Sequence, residues 1–227
     1  MSVVNAIIFD LDGVLVNTIE MHYQAWRKVA QSGGRELTRT QMEELRGVQR
    51  NECLSILFPD RELTPDVVDY FIQIKHNSYT EALRKLKPQD VLIDNALDII
   101  YKAREMGLKL GIASSSMNAL RVLEHVGIAS LFDRIAGGDK VVHSKPRSDI
   151  FVWVAGALGV FPRHALVFED SVKGIRGAKD ANMKSVGVVN PDTKPLADIY
   201  YDKLSDVDLE TLLFDLDLRV GGSPHRF

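Results

Sequence analysis

The chain has 227 residues, of which 45% are hydrophobic and 26% charged, with a formal net charge of −3 at pH 7. Those proportions fit a globular chain with one large domain, or a domain carrying a substantial insert, and they offer no basic surface for nucleic acid or an anionic membrane. No apolar run approaches the roughly 20 residues needed to cross a bilayer, and the N-terminus lacks a secretory pattern. The single cysteine, Cys53, rules out an internal disulfide and is expected to pack in a helical core rather than to react. The expectation is a cytoplasmic monomer whose partner is a small molecule.

The first element is residues 6–10, AIIFD, an apolar run that reads as a buried strand ending in a carboxylate. If Asp10 continues the strand, Asp10 and Asp12 share a face, because side chains two apart point the same way. Gly13 permits a sharp exit behind them. Asp-x-Asp-Gly could also open a calcium loop, but Val14 and Met21 stand where that loop needs oxygen ligands.

From about residue 18 to 88 only helical patterns appear. The first runs from 18 to about 32 and stops at Gly33-Gly34. Another is launched by Thr64-Pro65-Asp66, with threonine as N-cap and proline at the first helical position, and carries Val67, Tyr70, Phe71, Ile74, Tyr79 and Leu83 on one face. Beyond the helical block, apolar stretches at 108–113, 132–136 (the weaker one), 165–169 and 184–189 read as strands. They alternate with helical patterns at 95–106, 117–126, 148–158 and 172–182. A last helix-like run covers 206–214, and 221–227 reads as a frayed tail.

This alternation predicts an α/β fold: a Rossmann-like parallel sheet with helices on both faces, plus an all-helical cap inserted between strands 1 and 2. The expected divisions are 1–17 and 92–217 for the core, 18–91 for the cap and 218–227 for the tail. Ligands of such sheets bind at the carboxyl ends of the strands, where the cap would form a lid.

Each later strand end supplies a polar group. Ser114-Ser115-Ser116 follow the second strand and precede a helix, where hydroxyls and free N–H groups make an anion site, although a serine run there is more often only an N-cap. Lys145 precedes Pro146 on a loop, and Glu169-Asp170 end the strand at 165–169, followed by Ser171 and a helix containing Gly174 and Gly177. Carboxylates clustered with Asp10 would repel unless a hard divalent cation joined them. The second FDLD, at 214–217, has Leu218 where a glycine would be needed and carries no function.

A carboxylate pair, a serine, a lysine and an acidic pair at successive strand ends resemble the four motifs of the haloacid-dehalogenase-like superfamily. The stretches FDLDGVLVNT, 22-HYQAWRKVA-30, 46-RGVQR-50, 75-KHNSY-79 and 169-EDSVKGI-175 are similar to its β-phosphoglucomutase branch. The resemblance implies that Asp10 is the nucleophile, forming an aspartyl-phosphate, and Asp12 the general acid and base. It implies Mg²⁺ held by Asp10, the backbone carbonyl of Asp12, Glu169 and Asp170, and it assigns the charge of the transferring phosphoryl group to Ser114 and Lys145. For the substrate it implies Arg50 on a second phosphate with Ser116 and Asn118 opposite, Gly47 and Val48 lining the cleft, and His22, Trp26 and Lys75 at the sugar, with Thr18 and Ser115 also in contact. Glucose 1,6-bisphosphate would serve as intermediate and activator.

Without that resemblance, Trp26 on an apolar helix reads equally as core, and His22 as a surface histidine. Arg46 reads as solvated, and His76, His125, His143 and His164 show no ligand spacing. Three positions depart from the mutase pattern: Asn17 replaces an aspartate, Met117 stands where a lysine is usual, and 91–97 lacks Pro-Gly, leaving Asp94 as the expected N-cap. Met117 bears on substrate choice, so a sugar-phosphate phosphatase is the alternative to a mutase. A non-catalytic sugar-phosphate-binding protein would require a broken nucleophile, acid or metal site, and all three sets are intact.

Overall fold

A computed structural model describes residues 4–221, with side chains described through 216. Residues 222–227, most of the expected tail, lie outside the described residues.

The strands β1 (Ala6–Phe9), β2 (Lys109–Ala113), β3 (Arg134–Ala136), β4 (Ala165–Glu169), β5 (Lys184–Val188) and β6 (Ile199–Tyr201) form one sheet in the order β3-β2-β1-β4-β5-β6. Every neighbouring pair is parallel, with Ile8 opposite Gly111 on one side and Val167 on the other. Strand β1 is central and both its faces are covered, which is why it reads as an uninterrupted apolar run. Ile7 and Phe9 join one core with Leu110, Ile112, Leu166 and Phe168, while Ala6 and Ile8 join another with Ala165 and Val167.

On the first face lie α6 (Ala96–Glu105), α7 (Ala119–His125) and α10 (Leu209–Gly221), contributing Ile99, Ile100, Leu123, Leu212 and Leu213. On the second lie α8 (Asp149–Leu158) and α9 (Val172–Asp180), contributing Phe151, Val154 and Ala178. The predicted α/β sheet with helices on both faces is the fold observed.

The inserted cap consists of α1 (Ile19–Ser32), α2 (Arg39–Leu45), α3 (Arg50–Leu57), α4 (Pro65–Lys85) and the short α5 (Pro88–Val91). Its two connections to the sheet run side by side: Asn17 N–H donates to Val91 O at 2.7 Å and Ile93 N–H to Leu15 O at 3.0 Å. The cap has its own core, with Trp26, Val29, Leu45, Cys53, Leu54, Phe58 and Phe71. Cys53 is buried there, and burial pushes its thiol up to about 12, so it packs as expected and is inert.

Several local expectations are revised. Strand β1 stops at Phe9, so Asp10 follows it and Asp12 lies in the turn. Strand β6 went unpredicted because three residues at a sheet edge carry no periodicity. Thr64 occupies the N-cap of α4, but its side chain caps nothing. The N-cap of α6 is Asn95, with φ of 69°, not Asp94. On α4, Val67 and Tyr70 face solvent, and the buried stripe is Phe71, Lys75, Tyr79 and Leu83, each one turn after the last. Helix α10 runs through the second FDLD to Gly221, beyond the helix-like run expected over 206–214.

Candidate active site

The site lies between the carboxyl ends of β1, β2 and β4 and the cap. Asp10, just past β1, is anchored by its N–H on Phe168 O at 2.9 Å. The chain then turns through Gly13, whose φ of +90° disfavours any side chain, and a Cβ there would lie 1.9 Å from Asp170 Oδ2. The turn brings both Asp10 and Asp12 to the wall of a cavity of about 670 Å³.

Beneath that wall lies a buried ionic cluster. Lys145 Nζ donates to Asp10 Oδ1 at 2.7 Å and also to Glu169 Oε1, while its ammonium sits 5.0 Å from the centre of the Phe151 ring. Glu169 Oε2 accepts from the Ser171 N–H and hydroxyl, both at 2.9 Å. Helix α9 approaches so closely that a Cβ on Gly174 would fall 1.9 Å from the Glu169 carboxyl carbon. Burial would pull the Lys145 ammonium down, but Asp10 and Glu169 overcome it and hold the group well above the ordinary lysine range.

One lysine does not neutralise three acids. Ligand oxygens of Asp10, Glu169 and Asp170 all lie within 4.8 Å of one another. Burial pushes Asp10 well above its ordinary value, with Lys145 opposing and Glu169, Asp170 and Asp12 adding to the rise. Asp170 is pushed up to about 7, chiefly by burial and by Glu169, against the pull of Arg46. Three converging buried carboxylates with too little positive charge fit a small, hard divalent cation with oxygen ligands, as Mg²⁺ is.

Asp12 has different surroundings. Thr18 donates its hydroxyl to Oδ1, His22 Nε2 lies 3.1 Å from the same oxygen, and Ser114 donates to Oδ2 at 3.4 Å. Burial alone would raise this carboxyl, but His22, Thr18 and Lys75 outweigh it and lower it to about 2. On the far side of the imidazole, Lys75 Nζ is 3.2 Å from Nδ1. An ammonium can only donate, so Nδ1 accepts and Nε2 carries the hydrogen that faces Asp12. Lys75 lies 4.6 Å from the Tyr79 ring centre, and burial, reinforced by Arg50, brings its ammonium down to about 8.

The remaining predicted residues fall into three groups. His22, Trp26, Gly47, Val48, Arg50, Lys75, Ser114, Ser115 and Ser116 line the cavity with Asp10, Asp12 and Asp170. Trp26 does so while belonging to the cap core, which unites its two sequence readings. Lys145 and Glu169 lie under the wall, and Thr18 is fully buried behind Asp12 rather than on the surface a substrate would meet. Asn118 is also buried and off the wall, and its Nδ2 has no hydrogen-bond partner among the described residues.

One expectation is overturned. Arg46 is not solvated: its guanidinium reaches from the cap to Asp170 Oδ2 and pairs with Glu43 at 3.0 Å. Sequence reasoning missed it because a charge between two helices carries no sign of what it faces across a cleft. Ile19, Met42, Leu45, Met117 and Ser171 complete the lining.

An aspartate pair, a serine, a lysine and an acidic pair at the strand ends, under a helical cap, define a phosphoryl-transfer scaffold. The model of the haloacid dehalogenase-like hydrolase family matches residues 7–188, and the chain belongs to that family. It is 33% identical over 211 residues to a β-phosphoglucomutase of Bacillus subtilis, covering 91% of this chain and 93% of that one. It is 32% identical over 186 residues to a phosphorylated carbohydrates phosphatase of Thermotoga maritima, covering 82% and 85%. A crystal structure of β-phosphoglucomutase from Clostridium difficile superimposes with a TM-score of 0.92 at 30% identity, covering 96% of this chain and 99% of that one. Among the described residues no helix is long and apolar enough to cross a membrane.

Proposed function

We propose that the protein is a β-phosphoglucomutase, interconverting β-glucose 1-phosphate and glucose 6-phosphate through β-glucose 1,6-bisphosphate. The observation that carries this reading is the origin of Asp12's partners. Its imidazole and, behind that, its lysine come from α1 and α4 of the cap, so the acid–base group is completed by the element that covers the sugar. A site meant for water has no need to tie its base to the lid.

In this reading Asp10 Oδ attacks the phosphorus of the bound phosphate, the bond to the sugar oxygen breaks, and an aspartyl-phosphate forms. Asp12, ionised at rest, takes the proton of the sugar hydroxyl that attacks the aspartyl-phosphate and returns that proton to the sugar oxygen that leaves when Asp10 is phosphorylated again. Two carboxylates are required because one that is phosphorylated cannot also shuttle the proton. Lys145 and Ser114 compensate phosphoryl charge in a nearly dry pocket. Mg²⁺, held by Asp10, Glu169, Asp170 and the Asp12 carbonyl, would supply further positive charge to that group.

Opposite, Arg50 lines the cavity with no carboxylate partner among the described residues and would take the second phosphate together with Ser116, whereas Asn118 is buried off that wall. His22, Trp26 and Lys75 would meet the sugar between the two phosphates. The proposed divisions remain 1–17 and 92–217 for the catalytic core and 18–91 for the cap.

Met117 favours the second reading, a sugar-phosphate phosphatase. It lines the same cavity with half its surface exposed, and it places a thioether where a cation would strengthen bisphosphate binding. The test is incubation with Mg²⁺, β-glucose 1-phosphate and a trace of the 1,6-bisphosphate. Glucose 6-phosphate should accumulate; inorganic phosphate released at a comparable rate would replace the mutase with the phosphatase.

A further inference from the structure

One segment of the cap, from the end of α2 into the first turn of α3, touches the loops that follow three different strands. Glu44 O accepts from Lys173 Nζ, at the start of α9. Arg46 reaches Asp170, and Gly47 O accepts from Ser115 Oγ at 2.7 Å. A Cβ on Gly47 would lie 3.4 Å from Ser171 Oγ and 3.6 Å from the Lys145 side chain, so the cap backbone lies directly over that lysine.

Two further contacts lie outside the cavity. Gln49 Nε2 donates to Val141 O at 3.0 Å, and Ser144 Oγ donates to Glu52 Oε2. None of these four residues lines the cavity. Both contacts grip the loop between β3 and α8, which carries Lys145, and Ser144 is its immediate neighbour and is itself buried. A buried hydroxyl bonded to a carboxylate from the other side of a cleft is satisfied only while the two sides meet.

We propose that Glu52 and Gln49, through Ser144 and Val141, form an outer clasp that determines acceptor specificity by setting how the aspartyl-phosphate divides between a sugar hydroxyl and water. In either case the Asp10 O–P bond breaks, the acceptor oxygen forms the new P–O bond, and its proton passes to Asp12. The two outcomes differ only in whether the cap stays seated over Lys145 long enough for the sugar, rather than solvent, to reach phosphorus. The clasp rests on the mutase reading above. It assigns Glu52 a positioning role, since its carboxylate touches no reacting atom.

The test compares wild type, Glu52→Ala, Ser144→Ala, the double variant and Glu52→Gln. Each is assayed with Mg²⁺ for sugar-phosphate turnover, inorganic phosphate release, and turnover of acetyl phosphate, a donor too small to need the cap. Each alanine variant should lower the ratio of sugar-phosphate to acetyl-phosphate turnover about tenfold and raise the share of phosphoryl groups lost to water. The double variant should fall no further than either single one, and Glu52→Gln, which keeps an acceptor oxygen, should recover most of the ratio. Equal losses with both donors, or additive losses in the double variant, would overturn the clasp. Should wild type itself release phosphate from the sugar phosphate stoichiometrically, the mutase reading falls, while the ratio between the two donors still decides the clasp.

Discussion

The two walls of the cleft hold their charges in opposite ways. On the core side, Lys145 is fixed by two buried carboxylates and its charge is reinforced. On the cap side, Lys75 is equally buried but its nearest polar partner is a neutral imidazole, and its charge is weakened. In the proposed reading the core is thus prepared to neutralise a phosphoryl group. The cap's Lys75 and Arg50 have no carboxylate partner among the described residues, as suits a surface that gains its counter-charge from an anionic ligand. In that reading the first wall carries the phosphoryl chemistry and the second the choice of substrate.

Substitutions separate the two. The largest effect should follow Asp10→Asn, which removes the nucleophile: turnover should drop about 10⁴-fold or more, with no phosphorylated species in acid-quenched enzyme examined by mass spectrometry. Retained turnover would move the nucleophile elsewhere. Next comes Lys145→Met, which strands Asp10 and Glu169 without their counter-charge. Breaking a buried pair in this way costs about 3–5 kcal/mol, or roughly 10 °C in the thermal midpoint of a chain of this size. A midpoint within a couple of degrees of wild type would mean the core charges are not mutually held.

The cap lysine gives a subtler signature. Its ordinary value of 10.5 falls to about 8 in the folded chain. Between those pH values the unfolded chain binds a proton that the folded one does not, so Lys75's contribution to stability rises with pH and levels off above 10.5. Lys75→Met removes that component and leaves the other titrating groups common to both proteins. The difference in unfolding free energy between wild type and variant should therefore shift in favour of wild type by about 2–3 kcal/mol from pH 8 to pH 10, as measured by denaturant titration. A constant difference would show that Lys75 is not burdened by burial.

What the sequence reveals follows the same division. The core wall was legible because its parts sit at the ends of apolar strands, where local sequence fixes their position: Asp10 after β1, Ser114 after β2, Glu169 at the end of β4. The cap wall was legible only through resemblance. The stripe on α4 was misplaced because Lys75 interrupts its apolar pattern, and a buried lysine is explained only by the site it serves. Arg46 was misread for the same reason: its partner Asp170 is 124 residues away, a separation that no local pattern spans. Edge strand β6 and the left-handed Asn95 cap are details that tertiary packing imposes on weak local signals.

The smallest expected effect bears on a core residue that faces the cap's Arg50 across the cleft. Met117 lines the cavity beside Ser116 and opposite Arg50, and half its surface is open to solvent. A lysine there has room to extend without disturbing the core and would give the second phosphate another cation. Because the position is half-exposed, water and salt screen the gain, which is worth about 0.5–1 kcal/mol, or roughly two- to fivefold. Met117→Lys should lower KM for the 1,6-bisphosphate by that factor with kcat little changed, and the gain should fade as ionic strength rises. A change in kcat instead would place Met117 at the transferring phosphoryl group. No change in either constant would mean that the second phosphate is held by Arg50 without help from this position.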